Sequence, residues 1–183
     1  EGIVWAEGVR PQARDYTPLY NAERHELAYD FFIHDGGVAS QWAMEAKAGD
    51  TLLIGGPRGS LVVPEDYAWQ LYVCDETGMP ALRRRLEALQ TLAERPQVTA
   101  LVMVKDEADT AYLAGFDGFN IEWISGYDAA TVAARLAQLT VPASDYFIWL
   151  SGEGKVVKNL TDGFVTDAID PQLVRSSAYW HAK

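Results

Sequence analysis

Three short segments bring together side chains able to hold a cofactor. The first is Arg14-Asp15-Tyr16-Thr17-Pro18. On a strand, alternate side chains share a face, so Arg14 and Tyr16 offer a fixed cation for a diphosphate and an aromatic plane for a flat ring. The Thr17 hydroxyl can donate to a ring nitrogen. The same residues also compose an ordinary amphipathic edge strand. The second segment runs from His34 through Asp35, Gly36, Gly37, Val38, Ala39 and Ser40 to Ala43. There a strand ends in two glycines and a helical stretch begins. Bare backbone followed by the N–H groups of a first helical turn makes an anion site suited to a pyrophosphate, with Ser40 adding a hydroxyl. A tight turn with nothing bound has the same composition. The third segment, Cys74-Asp75-Glu76-Thr77-Gly78-Met79-Pro80-Ala81, follows an apolar run and leads into a helix, where an open α/β sheet binds nucleotides. The GxGxxG fingerprint is absent, so Glu76, Thr77 and the helix amino end would receive a ligand through fewer backbone contacts.

Composition narrows what such sites serve. The chain has 183 residues, 49% hydrophobic and 22% charged, enough for one comfortable domain or two small ones and too apolar for disorder as the main state. Fifteen Lys and Arg against 26 Asp and Glu give a formal charge of −11, a field that repels phosphate backbones and anionic bilayers. Nucleic acid is excluded as a partner on that ground. No apolar run approaches the roughly 20 residues of a spanning helix, and Glu1 to Arg10 lacks the layout of a secretion signal. The expectation is a cytoplasmic protein with no membrane partner. Cys74 alone builds neither an intrachain disulfide nor a multi-thiolate metal site. The histidines at 25, 34 and 181 show no ligand spacing, so no protein-held metal is expected.

These segments sit in two kinds of texture. From Arg14 to Val63 the pattern is short strands and turns: Leu27, Tyr29, Phe31 and Ile33 alternate with Ala28, Asp30 and Phe32, and Lys47-Ala48-Gly49-Asp50 makes a turn. Pro64-Glu65-Asp66 reads as a linker, which divides the chain into residues 1–65 and 66–183. Beyond it, continuous apolar runs predict parallel strands buried on both faces at Trp69 to Cys74, Val98 to Val104, Phe119 to Ile124, Tyr146 to Ser151 and Ser177 to His181. Met79, Leu82, Leu86 and Leu89 fall at helical spacing, with Thr77 placed to cap and Pro80 in the first turn. Val132, Leu136 and Leu139 form the stripe of a helix over Ala129 to Leu139. Val156, Val157, Leu160 and Phe164 do the same over Gly154 to Phe164. Right-handed crossovers between such strands yield a doubly wound sheet whose ligands lie beyond the carboxyl ends.

Taken in order, the motifs resemble the siderophore-interacting protein family, the NADPH-dependent ferric-siderophore reductases of the ferredoxin-reductase-like superfamily. The likeness rests on Arg14 to Pro18, His34 to Ala43, Gly56-Pro57-Arg58-Gly59-Ser60, Asp75 to Pro80, Ser151-Gly152-Glu153 and Ala178-Tyr179-Trp180, and runs through nearly all of the chain. The resemblance implies a flavin-binding antiparallel β-barrel followed by a doubly wound parallel-sheet domain for the nicotinamide nucleotide, with FAD and NADPH as cofactors. Family members start their barrel well before the Arg-x-Tyr-Thr strand, so the barrel is expected to be amino-terminally incomplete here.

By that resemblance Arg14, Tyr16, Thr17, His34, Gly37, Val38, Ala39 and Ser40 would hold the flavin, and Tyr179 and Trp180 would cover one side of it. Asp75, Glu76, Thr77, Gly152 and Glu153 would border the nicotinamide nucleotide, and Lys105 lies where a charge can recognise the extra phosphate of NADPH. An acidic protein receiving an anionic chelate needs a local positive site. Arg58, Lys155 and Lys158 fill that role, the two lysines being three apart on one helix face, which is equally what a solvated face looks like. The implied activity is reduction of ferric siderophores by a monomer, with no acid or base from the protein. The alternatives are a non-catalytic ferric-chelate binding module and a flavin reductase with another acceptor.

Overall fold

The structure is a computed structural model that describes residues 13–56 and 62–182. The chain forms two compact units, one up to residue 59 and one from residue 60.

In the first unit, β1 (Leu19–Asn21) and β2 (Glu26–Ala28) pair antiparallel with Leu19 opposite Ala28, joined by a turn that places His25 at φ 52°. The alternation that predicts a longer strand continues to Ile33, but the ladder stops at Ala28. Residues 29–34 have no strand partner among the described residues, and a strand exists only where its N–H and C=O groups are paired. One helix follows, α1 (Val38–Glu45). Tyr16, Phe31 and Trp42 pack in sequence, with ring centroids 4.5 and 5.9 Å apart. The turn at residues 47–50 closes through Asp50 N to Lys47 O (3.0 Å) and Lys47 N to the Asp50 carboxylate (2.8 Å), with Gly49 at φ 98°.

The second unit is a five-stranded parallel sheet in the order β5-β4-β3-β6-β7, with β3 at Trp69–Asp75, β4 at Gln97–Val104, β5 at Asn120–Ser125, β6 at Tyr146–Glu153 and β7 at Val174–Trp180. All five expected strands are present. The last starts three residues earlier than Ser177, because Val174 to Ser176 ladder onto Ile148 to Leu150. Every residue of β3 is buried, as a central strand covered on both faces requires. Leu71 and Val73 face α3 (Ala129–Leu136) and α4 (Gly154–Phe164), together with Val132, Leu136, Val157 and Leu160. Tyr72 and Cys74 face the other way, onto α2 (Met79–Gln90) with Met79, Leu82, Leu86 and Leu89. Each fully buried leucine contributes about 1.5–3 kcal/mol. The helical stripes therefore land on the sheet as their spacing predicts.

Crossovers leave β3 toward β4 on one side, and the chain returns to β6 on the other, so the direction of winding reverses between β3 and β6. In an open α/β sheet the ligand crevice lies outside the carboxyl ends at that reversal. At the opposite end, segment 63–67 is held by side chains of the sheet layer. Arg85 donates to Val63 O (3.0 Å) and Pro64 O (2.6 Å), and the Gln70 amide donates to Glu65 O (3.1 Å) and Tyr67 O (3.0 Å).

Candidate nucleotide site at the carboxyl ends of the sheet

Asp75 ends β3 and is 1% exposed. Its Oδ1 accepts from Thr77 N (2.9 Å) and from the Thr77 hydroxyl (2.5 Å). Its Oδ2 accepts from Glu153 N (3.0 Å) and from Trp180 Nε1 (2.8 Å). The expected capping of α2 by Thr77 does not occur: Gly78 is the cap residue of α2 with no side-chain bond, and Asp75 instead caps the turn Glu76–Gly78 that precedes the helix. Two residues upstream, its carboxylate reaches the Thr77 N–H first and also takes up the Thr77 hydroxyl, and α2 begins after the single turn Glu76–Gly78. Gly152 lies directly against this carboxylate. It sits at φ 138°, and a Cβ there would collide with the Asp75 oxygens, so glycine is required twice over.

Glu76, 2% exposed, accepts from Lys105 N through Oε1 (2.5 Å), while its Oε2 makes no geometrically defined hydrogen bond among the described residues. The Ser151 hydroxyl is also buried and unpartnered. It lies beneath Gly78, whose missing Cβ leaves room for it and for Cys74. Two orphaned polar atoms at one strand junction are uncommon, since buried polar groups are normally satisfied. Both lie where the sheet reverses, so the residues present fit a polar ligand such as a nicotinamide nucleotide. Burial first, then a hydrogen-bonding interaction with the Glu76 carboxylate and its charge, then the charges of Asp75 and Asp109, push the Tyr127 phenol above its ordinary value, which puts Tyr127 beside that carboxylate. Burial first, then Asp75 and Glu76, raise the Cys74 thiol well above its ordinary value, leaving it unreactive.

Glu153 caps α4. Its Oε2 accepts from Lys155 N (2.8 Å) and Val156 N (2.9 Å), and its Oε1 accepts from Ala182 N (3.1 Å). The bond from Val156 leads the causes that hold its carboxyl below the usual range. Lys155 and Lys158 are both exposed on α4, and Lys158 pairs with Asp162. The Lys105 side chain is exposed, and its backbone is what binds Glu76. Trp180 is half-buried, with its ring 5.9 Å from Tyr127. Tyr179 is 43% exposed and packs edge-on against Trp149 at 6.2 Å.

In the first unit, the amino end of α1 has Gly37 as its cap residue, no side-chain cap and no acid in the first turn. The N–H groups of Val38, Ala39 and Ser40 open that turn, as an anion-binding helix start requires. The His34 ring lies against the Gly37 α-carbon, where a Cβ would meet it at 2.6 Å. The Ser40 hydroxyl is engaged within its own loop, accepting from His34 N (3.2 Å) and donating to Phe32 O (3.4 Å), so it is the backbone of Ser40 that faces the turn opening. This uncapped, glycine-led turn fits a pyrophosphate. Tyr16 and Thr17 are half-buried and Arg14 is exposed. Burial raises the Tyr16 phenol and the nearby Arg14 charge opposes that shift. Arg58 lies outside the described residues.

Two residues of the carboxyl-end cluster are not nominated by sequence reasoning. Ser151 is inside the Ser-Gly-Glu motif, but only packing reveals its orphaned hydroxyl. Tyr127 follows β5 with no motif around it, and the position of its loop at a carboxyl end was the one available signal.

Residues 67–183 match the family model described as siderophore-interacting protein, and residues 1–61 match the siderophore-interacting FAD-binding domain. The chain belongs to the siderophore-interacting protein family. This siderophore-interacting protein is 69% identical over 183 residues to the NADPH-dependent ferric-chelate reductase of Escherichia coli (strain K12), covering 100% of the chain and 72% of that protein. It is 26% identical over 162 residues to the ferric vibriobactin reductase ViuB of Vibrio cholerae, covering 85% of the chain and 58% of that protein. Among solved structures, the siderophore-interacting protein SipS from Aeromonas hydrophila superposes with TM-score 0.78 at 26% identity, covering 94% of this chain and 69% of that one. Ferredoxin-NADP+ reductase from Plasmodium falciparum superposes with TM-score 0.72 at 15% identity, covering 90% of this chain and 76% of that one, and shares the fold. The architecture is therefore ferredoxin-reductase-like, a flavin-domain part followed by a doubly wound sheet. Among the described residues, no helix is long and apolar enough to cross a membrane.

Proposed function

We propose that the protein reduces ferric siderophores, with electrons passing from NADPH through FAD, and that it does so in the cytoplasm as a monomer. The 69% identity to a ferric-chelate reductase across the whole chain is the observation that carries this reading. Flavin, when bound, supplies the conversion of a two-electron hydride into the single electrons that ferric iron accepts. The protein's task is then to bind and orient. Residues 1–65 hold the flavin, its pyrophosphate on the backbone of Gly37, Val38, Ala39 and Ser40 beside His34, with Arg14, Tyr16 and Thr17 around the rest. Residues 66–183 receive the nicotinamide nucleotide at Asp75, Glu76, Thr77, Gly152 and Glu153, with Lys105 toward its extra phosphate. The unpartnered Glu76 Oε2 and Ser151 hydroxyl support that placement, because a bound polar ligand is what such groups lack.

Arg58, Lys155 and Lys158 supply the local positive charge that draws an anionic chelate toward a protein of net charge −11. Once reduced, iron binds hard oxygen donors less strongly and leaves the chelator. The purified full-length protein is expected to show flavin absorption and to reduce a ferric chelate only when NADPH is supplied. Colourless protein that takes up no flavin, or reduction indifferent to NADPH, overturns the reading. Chelate binding that persists without flavin identifies a non-catalytic binding module instead.

A further inference from the structure

We propose that Asp75 is a positioning residue for Trp180, fixing the indole at the carboxyl edge of the sheet through the bond from Nε1 to Oδ2. Three separate features converge on that bond. The carboxylate cannot turn, because Oδ1 is anchored to both donors of Thr77 while Oδ2 takes Glu153 N from the neighbouring strand as well as the indole. The glycine at 152 yields the space the carboxylate fills. The register between β6 and β7 slips at this point: Gly152 pairs with Ala178 but Glu153 pairs with Trp180, leaving Tyr179 as an extra residue. Such a bulge re-aims the following side chain, and here it directs Trp180 toward Asp75 while Tyr179 packs on Trp149.

A half-buried tryptophan does not need a buried carboxylate, a strained glycine and a bulge merely to cover apolar surface. The arrangement holds one ring at one angle, with Tyr127 against it at 5.9 Å. A hydrogen bond to a charged acceptor is roughly twice as strong as a neutral one, so the tether keeps the ring in place before any ligand arrives and removes the ordering cost from binding. What the ring does once held rests on the proposed function, in which the carboxyl ends of the sheet, where Trp180 sits, receive the nicotinamide nucleotide. The tether itself does not rest on it.

The test uses the full-length flavin-loaded protein and two variants. Trp180→Phe keeps an aromatic ring, smaller than the indole, and removes the donor; Asp75→Ala removes the acceptor together with its bonds from Thr77 and Glu153. In 15N spectra of the indole N–H groups, the signal lost in Trp180→Phe identifies Trp180. In Asp75→Ala that signal is expected to move and to exchange with water at least about tenfold faster. The rate at which NADPH bleaches the flavin is expected to fall about tenfold in Trp180→Phe, and the double variant is expected to be no slower than Asp75→Ala alone, because the bond from Trp180 is one of the four that Asp75→Ala removes. An indole signal unmoved in Asp75→Ala, or single effects that add in the double variant, overturns the proposal. If Asp75→Ala does not fold, Asp75→Asn, which keeps the shape of the side chain, is measured in its place and the same indole signal decides. If the parent protein is not bleached by NADPH at all, the functional reading fails while the spectra still judge the tether.

Discussion

At the amino end of β3, the Gln70 side chain is 0% exposed, accepts from the Tyr72 hydroxyl at 2.6 Å and from Arg85 Nη2 at 3.0 Å, and donates to two carbonyls of segment 63–67. At the carboxyl end of the same strand, Asp75 is equally well bonded, but Glu76 Oε2 and the Ser151 hydroxyl beside it are left unpartnered. One strand therefore carries two buried polar clusters of opposite finish. The amino-end cluster is closed and holds its own chain in place. The carboxyl-end cluster keeps two buried polar atoms without a partner among the described residues, at a cost in stability, where the sheet reverses direction. A polar network completed by its own residues marks architecture, and one left incomplete marks a place for something else.

The largest expected effect is at Gly152. An alanine there must adopt φ 138°, a strain of about 1–3 kcal/mol, and must also displace the Asp75 carboxylate, at about 1–3 kcal/mol more. Gly152→Ala should lower stability by about 2–6 kcal/mol in denaturant titration and shift the Trp180 indole signal with it. A loss under about 1 kcal/mol would mean the carboxylate is not held as described.

The next effect tests the closed end. Burial pushes the Tyr72 phenol from its usual value of 10.0 up to about 12, against the opposing pull of Arg85. The folded protein thus favours the neutral phenol. The corresponding stability is fully present below pH 10 and is lost as pH rises toward 12, by roughly 2–3 kcal/mol for a shift of this size. Urea midpoints measured across that window should fall in the parent and stay flatter in Tyr72→Phe. Equal slopes would remove Tyr72 from the network.

The smallest effect separates the two ends most sharply. Because the Ser151 hydroxyl has no bond to lose, Ser151→Ala should leave stability within about 0.5 kcal/mol or raise it, whereas a hydroxyl that bonds the nucleotide makes the KM for NADPH rise about three- to tenfold. A clear loss of thermal stability with KM unchanged would class Ser151 with the closed end.

Much of this was legible in the sequence, and the rest was hidden for definable reasons. The strands of the second unit are visible because sheets buried on both faces demand unbroken apolar runs, and the leucines of α2 recur at the helical period. Leu27 to Ile33 shows the strand alternation equally well, yet pairing ends at Ala28, since a pattern specifies a face and never a partner. Thr77 has the type and position of a cap, but its hydroxyl is taken up by Asp75 and α2 starts after Gly78 with no side-chain cap. Asp75, Gly152, Glu153 and Trp180 are all nominated by motif. That one carboxylate joins them is a fact of packing across 78 and 105 residues of chain, beyond any local pattern.

That span has a bearing on how the molecule is made. The knot of bonds around Asp75 lacks a member until residue 180 has left the ribosome, so β3 must wait with a carboxylate only partly served while most of its sheet is synthesised. Contacts of such long sequence separation form slowly, and an unfinished parallel edge is open to wrong pairings in the interval. The bond from Trp180 is thus the last of the four to reach Asp75, and it joins the carboxyl ends of β3 and β7 only after the strands between them have been made.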